Sequence, residues 1–333
     1  MSGRWARWMD LASEREEGTP LAVVRACTGV VVAWTCFSSW FWGAVPVYTM
    51  ISAGGMAPDG LGRIWFRAIG GATEGNVTAL LFAGMALAAA LVVGFGGRVT
   101  AFLLGQVMLA LFALHPGTGG GHDRVITNIL WMLVIGDGAR TWSLDCRLRT
   151  GSWEDRTPIL AFPRRLLVWQ LAVMYTLTGL QKQGAPWGAA ASWEAVYRTL
   201  LLPSWVRWDL RGVLAPFYPL LQLSTFICWW WETLWFLVPL QAWLLRPSWA
   251  GTRAARLAGR VDLRPWFILL GVITHGVLLA LCDLGPFSLI TMTLYAALYT
   301  GEEWRRLIDR LRGVRAPAAP PSADTLGRTG SVV

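Results

Sequence analysis

The sequence predicts an all-α polytopic membrane protein of about eight transmembrane helices, and three observations predict it. Apolar residues make up 55% of the 333-residue chain, only 15% are charged, and the mean hydropathy is +0.46. Soluble domains usually carry about 25% charged residues. Apolar runs approaching the length of a bilayer core recur along the chain, about 20 residues each with some shorter. The arginines fall in alternate loops, as the positive-inside rule requires of a multi-pass protein.

The spans follow in order as Leu21–Val45, Asn76–Phe95, Val99–His115, Val125–Gly136, Arg165–Leu180, Phe217–Leu245, Trp266–Cys282 and Pro286–Thr300. Arg4 and Arg7 precede the first, Arg98 separates the second and third, and Arg140, Arg147, Arg149, Arg156 and Arg164 separate the fourth and fifth. Arg246, Arg253, Arg256 and Arg260 lie between the sixth and seventh, and Arg305, Arg306, Arg310, Arg312 and Arg315 follow the eighth. An even count puts all of these on one side, which makes that side and both termini cytoplasmic. The opposite loops hold Arg63, Arg67, Arg124, Arg198, Arg207 and Arg211. The net charge of +9 therefore reflects membrane orientation and implies no nucleic-acid partner. Residues 1–20 form a charged cytoplasmic segment without the features of a cleavable signal. Residues 21–310 form the membrane domain, and 311–333, rich in Pro, Ala and Ser, form a disordered cytoplasmic tail.

Tryptophans cluster near span ends as an interfacial belt, except Trp229-Trp230-Trp231 inside span six. The five cysteines lack a C-x-x-C spacing and read as packing residues. Three histidines without a cysteine cluster give no metal motif.

Lys182 is the only lysine among 29 basic residues and ends an apolar stretch. Arginine stays protonated, whereas lysine is the cation that surrenders its proton when desolvated, so it can serve as a base. The plainer role is an interfacial anchor that snorkels. Glu232, near the centre of span six, needs a proton or a cation, and Lys182, His275 and Arg25 are the sensible partners. His275 sits mid-span beside Thr274 and Gly276, where a neutral imidazole bonded to a neighbouring helix is the plain reading. His122 follows a glycine-rich outer loop whose backbone can approach a ligand closely. Asp283 reads as an interfacial acid. Lys182, His122 and His275 share a similar depth on the outer side, and facing lipid alone would cost each several kcal/mol. They are expected to line one cavity open to the outer leaflet, with Glu232 deeper.

The stretch Trp169-Gln170, Tyr175-Thr176-Leu177-Thr178-Gly179-Leu180-Gln181-Lys182 and Trp187 resembles the signature of the HTTM (horizontally transferred transmembrane) family, which includes the vitamin K-dependent γ-glutamyl carboxylases. Gly121-His122-Asp123, Trp142-Ser143-Leu144-Asp145, Thr274-His275, Phe287-Ser288 and Glu302-Glu303-Trp304-Arg305-Arg306 match further family segments in order. Arg25 and Pro58-Asp59-Gly60 fit the wider family. The resemblance spans roughly residues 15–310. It implies a carboxylase-like activity of the carbon–carbon lyase class at the extracytoplasmic face, on a reduced quinone (vitamin K-like) or a peptide side chain. Lys182 takes the place of the base, His122 and His275 assist, and Glu232 and Arg25 support them. Gln181 stands where the carboxylases have a second lysine. Compact bacterial HTTM proteins also resemble a membrane partner that matures a secreted peptide toxin, which implies a non-catalytic alternative.

Overall fold

The computed structural model describes residues 3–49, 62–114 and 120–313, and these are mostly helical. Pro58-Asp59-Gly60, His115 and most of the predicted tail lie outside the described residues. In chain order the helices are α1 (Gly3–Ser13), α2 (Thr19–Phe41), α3 (Val45–Thr49), α4 (Gly62–Ala68), α5 (Glu74–Val93), α6 (Gly97–Phe112), α7 (Gly121–Gly136) and α8 (Leu144–Thr150). They continue as α9 (Phe162–Gln181), α10 (Ala195–Leu200), α11 (Tyr218–Thr233), α12 (Leu237–Leu244), α13 (Arg253–Ala258), α14 (Arg264–Leu281), α15 (Phe287–Thr293) and α16 (Gly301–Leu311).

Local chemistry sets the boundaries. Pro20, Pro163, Pro219 and Pro265 open α2, α9, α11 and α14, where a missing N–H costs nothing. Thr73 caps α5 by accepting from Asn76 N–H, and Gly94 ends it in the left-handed conformation. Thr300 and Glu303 form a capping box at the start of α16.

Each of the eight predicted spans falls on helix, but their lengths differ. Among the described residues three helices, α2, α5 and α14, are long and apolar enough to cross a membrane; α6 and the segment Phe287–Leu298 are apolar but shorter. Span one ends early, at Phe41, because the chain turns at Gly43 with φ +70°. Span six is broken: α11 stops at Thr233, a 3₁₀ turn covers Leu234–Phe236, and α12 resumes. Pro239 cannot donate to the Trp235 carbonyl, so the α-helical ladder fails there. The Thr176 hydroxyl accepts the Phe236 N–H at 3.1 Å. Span eight tightens into 3₁₀ from Leu294 to Leu298.

Small residues draw the helices together. A methyl group at Gly29 of α2 would lie 2.8 Å from the Ala88 carbonyl of α5, and one at Gly84 would lie 2.8 Å from the Cys36 sulfur. The α2 and α5 backbones therefore approach as closely as small-residue interfaces in membrane bundles allow. The core runs through Leu21, Ile126, Leu133, Leu171, Ile290 and Leu294. Large apolar side chains such as Trp34, Phe37, Trp131, Val173, Leu177 and Ile273 point outward. Such a surface fits a lipid bilayer rather than water.

The loops separating alternate helices meet at one end of the bundle. Arg15 and Glu16 pair antiparallel with Ile159 and Leu160 in a two-stranded ladder. Arg164 binds Glu16 through both carboxylate oxygens (2.5 and 2.8 Å), and Arg165 and Arg246 share Glu14. Arg305 pairs with Glu17 at 2.7 Å, and Arg264 with Glu303 at 2.6 Å. This is the basic end; Lys182 and His122 lie at the other.

Candidate functional site

Helix α9 supplies the frame. Tyr175, Gly179 and Lys182 are spaced i, i+4, i+7 and share one face. A methyl at Gly179 would lie 2.6 Å from the Thr233 nitrogen, so glycine lets α9 touch the backbone of α11. That contact delivers Lys182, the C-cap of α9, to Glu232: the amine donates to Oε2 at 2.5 Å. Of the three partners weighed for Glu232, the structure selects Lys182. The Trp187 ring also faces the ammonium, 4.4 Å from its centroid. The Cys228 sulfur, one turn before Glu232, approaches the other carboxylate oxygen at 3.7 Å. Cys228 therefore does more than pack, unlike the reading given to all five cysteines.

A second buried cluster lies two turns back, about 10 Å along α9 by its rise of 1.5 Å per residue. The Tyr175 hydroxyl meets His275 Nε2 at 2.5 Å and the Tyr295 hydroxyl at 2.9 Å. Gly271, one turn before His275 on α14, makes room for the Tyr295 hydroxyl, which any side chain there would strike. Gly271 and His275 are the only buried residues of α14, whereas Leu269, Val272, Ile273 and Val277 are exposed. The helix thus turns its histidine inward and its aliphatic side chains outward, the reverse of a soluble helix. His275 Nδ1 is buried and unpartnered among the described residues. The indole rings of Trp231 and Trp235 lie 4.6 and 5.0 Å from the Tyr175 ring. Trp230, on the same helix as Trp231, is exposed, as successive side chains about 100° apart require.

His122 sits in the first turn of α7, with Nε2 3.1 Å from Asp123 and its ring edge-on to Phe112. Phe287 connects the histidines: a methyl at Gly121 would be 3.2 Å from its ring, which lies 5.8 Å from the His275 ring. Among the described residues no hydrogen bond or ion pair joins Lys182 to either histidine. Arg25 is elsewhere. Its guanidinium donates to the carbonyls of Leu91, Val92, Gly138 and Trp142 at the basic end, and Glu232 is not among its partners. Trp142 takes a left-handed backbone, φ +51°, that bulky residues rarely adopt. Its carbonyl bond to Arg25 and its N–H bond to Trp153 hold that turn. Asp283 pairs weakly with Arg207 at 3.6 Å and is well exposed.

Tyr175 and Tyr295 were given no role by sequence reasoning. The i, i+4, i+7 spacing from Tyr175 to Lys182 was a signal for the first; Tyr295 in Leu294-Tyr295-Ala296 carried none.

Fold and site define a helical bundle with an apolar exterior and an ionisable interior. The model of the HTTM domain matches residues 14–216, more than half of the chain, and the chain belongs to the HTTM family. The match includes Arg25, His122 and Lys182 and ends before Glu232, His275 and Tyr295. No curated protein and no solved structure matches the chain.

Proposed function

We propose that the chain is a membrane-embedded, carboxylase-like enzyme that removes a proton from a lipophilic or peptide substrate at the extracytoplasmic end of the bundle. The observation that carries this reading is the inversion just described. Lys182, Glu232, Tyr175 and His275 face the interior of helices whose apolar side chains face outward, and ionisable groups at that depth are costly enough to imply a task.

Lys182 acts as the base. Its amine becomes free to accept when its proton passes to Glu232, 2.5 Å away; once Lys182 has taken the substrate proton, Glu232 releases its own to water and pairs again with the ammonium. The lysine side chain is 20% exposed, which leaves it reachable from the rim. Tyr175, its hydroxyl between His275 and Tyr295, can relay a proton between them. His122 orients substrate from the start of α7. A reduced quinone would suit this donor set, held by Lys182 and Trp187. When bound, it supplies the oxidisable ring that the resembled carboxylases use to make a stronger base. Eight crossings with both termini cytoplasmic follow from the arginine pattern.

The test is label transfer in lipid vesicles. The purified chain, a glutamate-containing peptide, reduced naphthoquinone and radiolabelled bicarbonate are combined, and label in the peptide is counted. The wild type is expected to incorporate label, and Lys182→Arg to lose about a hundredfold or more, since guanidinium does not deprotonate. Wild-type activity retained in Lys182→Arg would sink the base role.

One observation favours a second reading, a non-catalytic factor for maturing an exported peptide. The Lys182–Glu232 pair also clamps α9 to α11, and an arginine keeps such a clamp. Peptide maturation in cells that survives Lys182→Arg supports that reading.

A further inference from the structure

Helix α16 and the ends of α14 and α15 flank a cleft of about 590 Å³ at the basic end, lined also by Tyr295. One wall is apolar: Ile268 of α14, Met292 of α15 and Leu307 of α16. The rim is charged, with Arg264, Arg306 and Arg310 against Asp262 and Glu303. Arg264 satisfies both of those carboxylates, binding Asp262 at 2.9 Å and Glu303 at 2.6 Å. Arg306 keeps only a loose, exposed pair with Glu302 at 3.3 Å, and Arg310 has no carboxylate partner among the described residues. The two lie one turn apart on α16 and both line the cleft.

Helix α16 itself is built for an interface. Trp304, Leu307, Ile308 and Leu311 fall at i, i+3, i+4, i+7, while Arg305, Arg306 and Arg310 take the other side. Leu307 is 47% exposed and Leu311 79% exposed, although both belong to the apolar stripe. So polar a face with exposed leucines on the other is the pattern of helices that lie in the plane of a membrane surface. Trp304 anchors it by donating its indole N–H to the Ala296 carbonyl at 2.9 Å.

We propose that this cleft holds one anionic phospholipid, its phosphate between Arg306 and Arg310 and an acyl chain along Ile268, Met292 and Leu307. The lining sets three arginines against two carboxylates, Asp262 and Glu303, a surplus of one positive charge, and the wall beneath it is aliphatic, so the complement is an amphiphile with a negative head. A free inorganic anion would leave that wall uncovered. Tyr295 lines this cleft as well as meeting Tyr175, but neither Lys182 nor Glu232 lines it.

The experiment is native mass spectrometry of the full chain in micelles containing equal phosphatidylglycerol and phosphatidylcholine of one acyl length. The wild type is expected to retain one phosphatidylglycerol. Arg306→Glu with Arg310→Glu should weaken that retention about tenfold or more, each arginine near the surface contributing a comparable share. Arg253→Glu with Arg256→Glu changes the net charge of the same end equally but lies outside the cleft, and should retain the lipid. Met292→Trp, which fills the cleft and leaves the arginines intact, should expel the retained phosphatidylglycerol; it decides the matter if the charge-reversed protein does not fold. Equal retention of the two lipids by the wild type, equal loss in the control pair, or displacement by millimolar inorganic phosphate would overturn the proposal.

Discussion

Replacing Lys182 by methionine deletes a cation and leaves Glu232, 10% exposed, without its partner. An abandoned interior charge costs about 3–5 kcal/mol. Lys182→Met should therefore lower thermal stability in lipid sharply, and adding Glu232→Gln should recover most of the loss. A double variant as unstable as Lys182→Met alone would show that the lysine stem, rather than the ion pair, holds α9 to α11. At this scale the sequence was informative where electrostatics leaves few options. A lone lysine and a mid-span glutamate each demand a partner, and three candidates were readable for Glu232. The choice among them rests on Gly179, whose absent side chain sets the helix separation, and no single residue type reveals that. Arg25 had the same demand and met it with four carbonyls, because backbone acceptors at helix ends have no signature in the sequence. Tyr295 was invisible, since a tyrosine in an apolar helix is ordinary until its hydroxyl finds another.

The contact between α9 and α11 makes a prediction about the elements. Gly179→Leu has no room, with the Thr233 backbone 2.6 Å from the first added carbon, and should destabilise the bundle by about 1–3 kcal/mol. Gly276→Ala on α14 meets nothing within 4 Å and should melt within about 0.5 kcal/mol of wild type. Equal melting temperatures for Gly179→Leu and wild type in detergent would refute the close approach. Helix positions were legible from apolar runs and from the prolines that open α2, α9, α11 and α14. Their lengths were not. The 3₁₀ turns at Leu234–Phe236 and Leu294–Leu298 depend on Pro239 and on hydrogen bonds from other helices, and hydropathy averages over both. The amphipathic face of α16 was in the sequence, at Trp304, Leu307, Ile308 and Leu311, but arginine counting treated that segment only as charge.

Over the whole molecule, the ion pairs of Glu14, Glu16, Glu17 and Glu303 with arginines near the starts of α9, α14 and α16 gather those helix starts at one end. If that end is cytoplasmic, a reporter active only outside the cell should signal when fused after Pro186 and stay silent after Ala250. The opposite pattern would invert the topology. Glu14, Glu16 and Glu17 were not legible as partners, because their pairing spans more than a hundred residues of chain. The Arg25 hub extends this to biosynthesis. Arg25 leaves the ribosome 113 residues before Gly138 and 117 before Trp142, two of the carbonyls that satisfy it. Until that stretch is made, a guanidinium near the start of α2 depends on water or headgroups for its hydrogen bonds. The first four long helices and the turn after them therefore mature as one cohort, and the shortest nascent chain able to close that hub ends beyond Trp142.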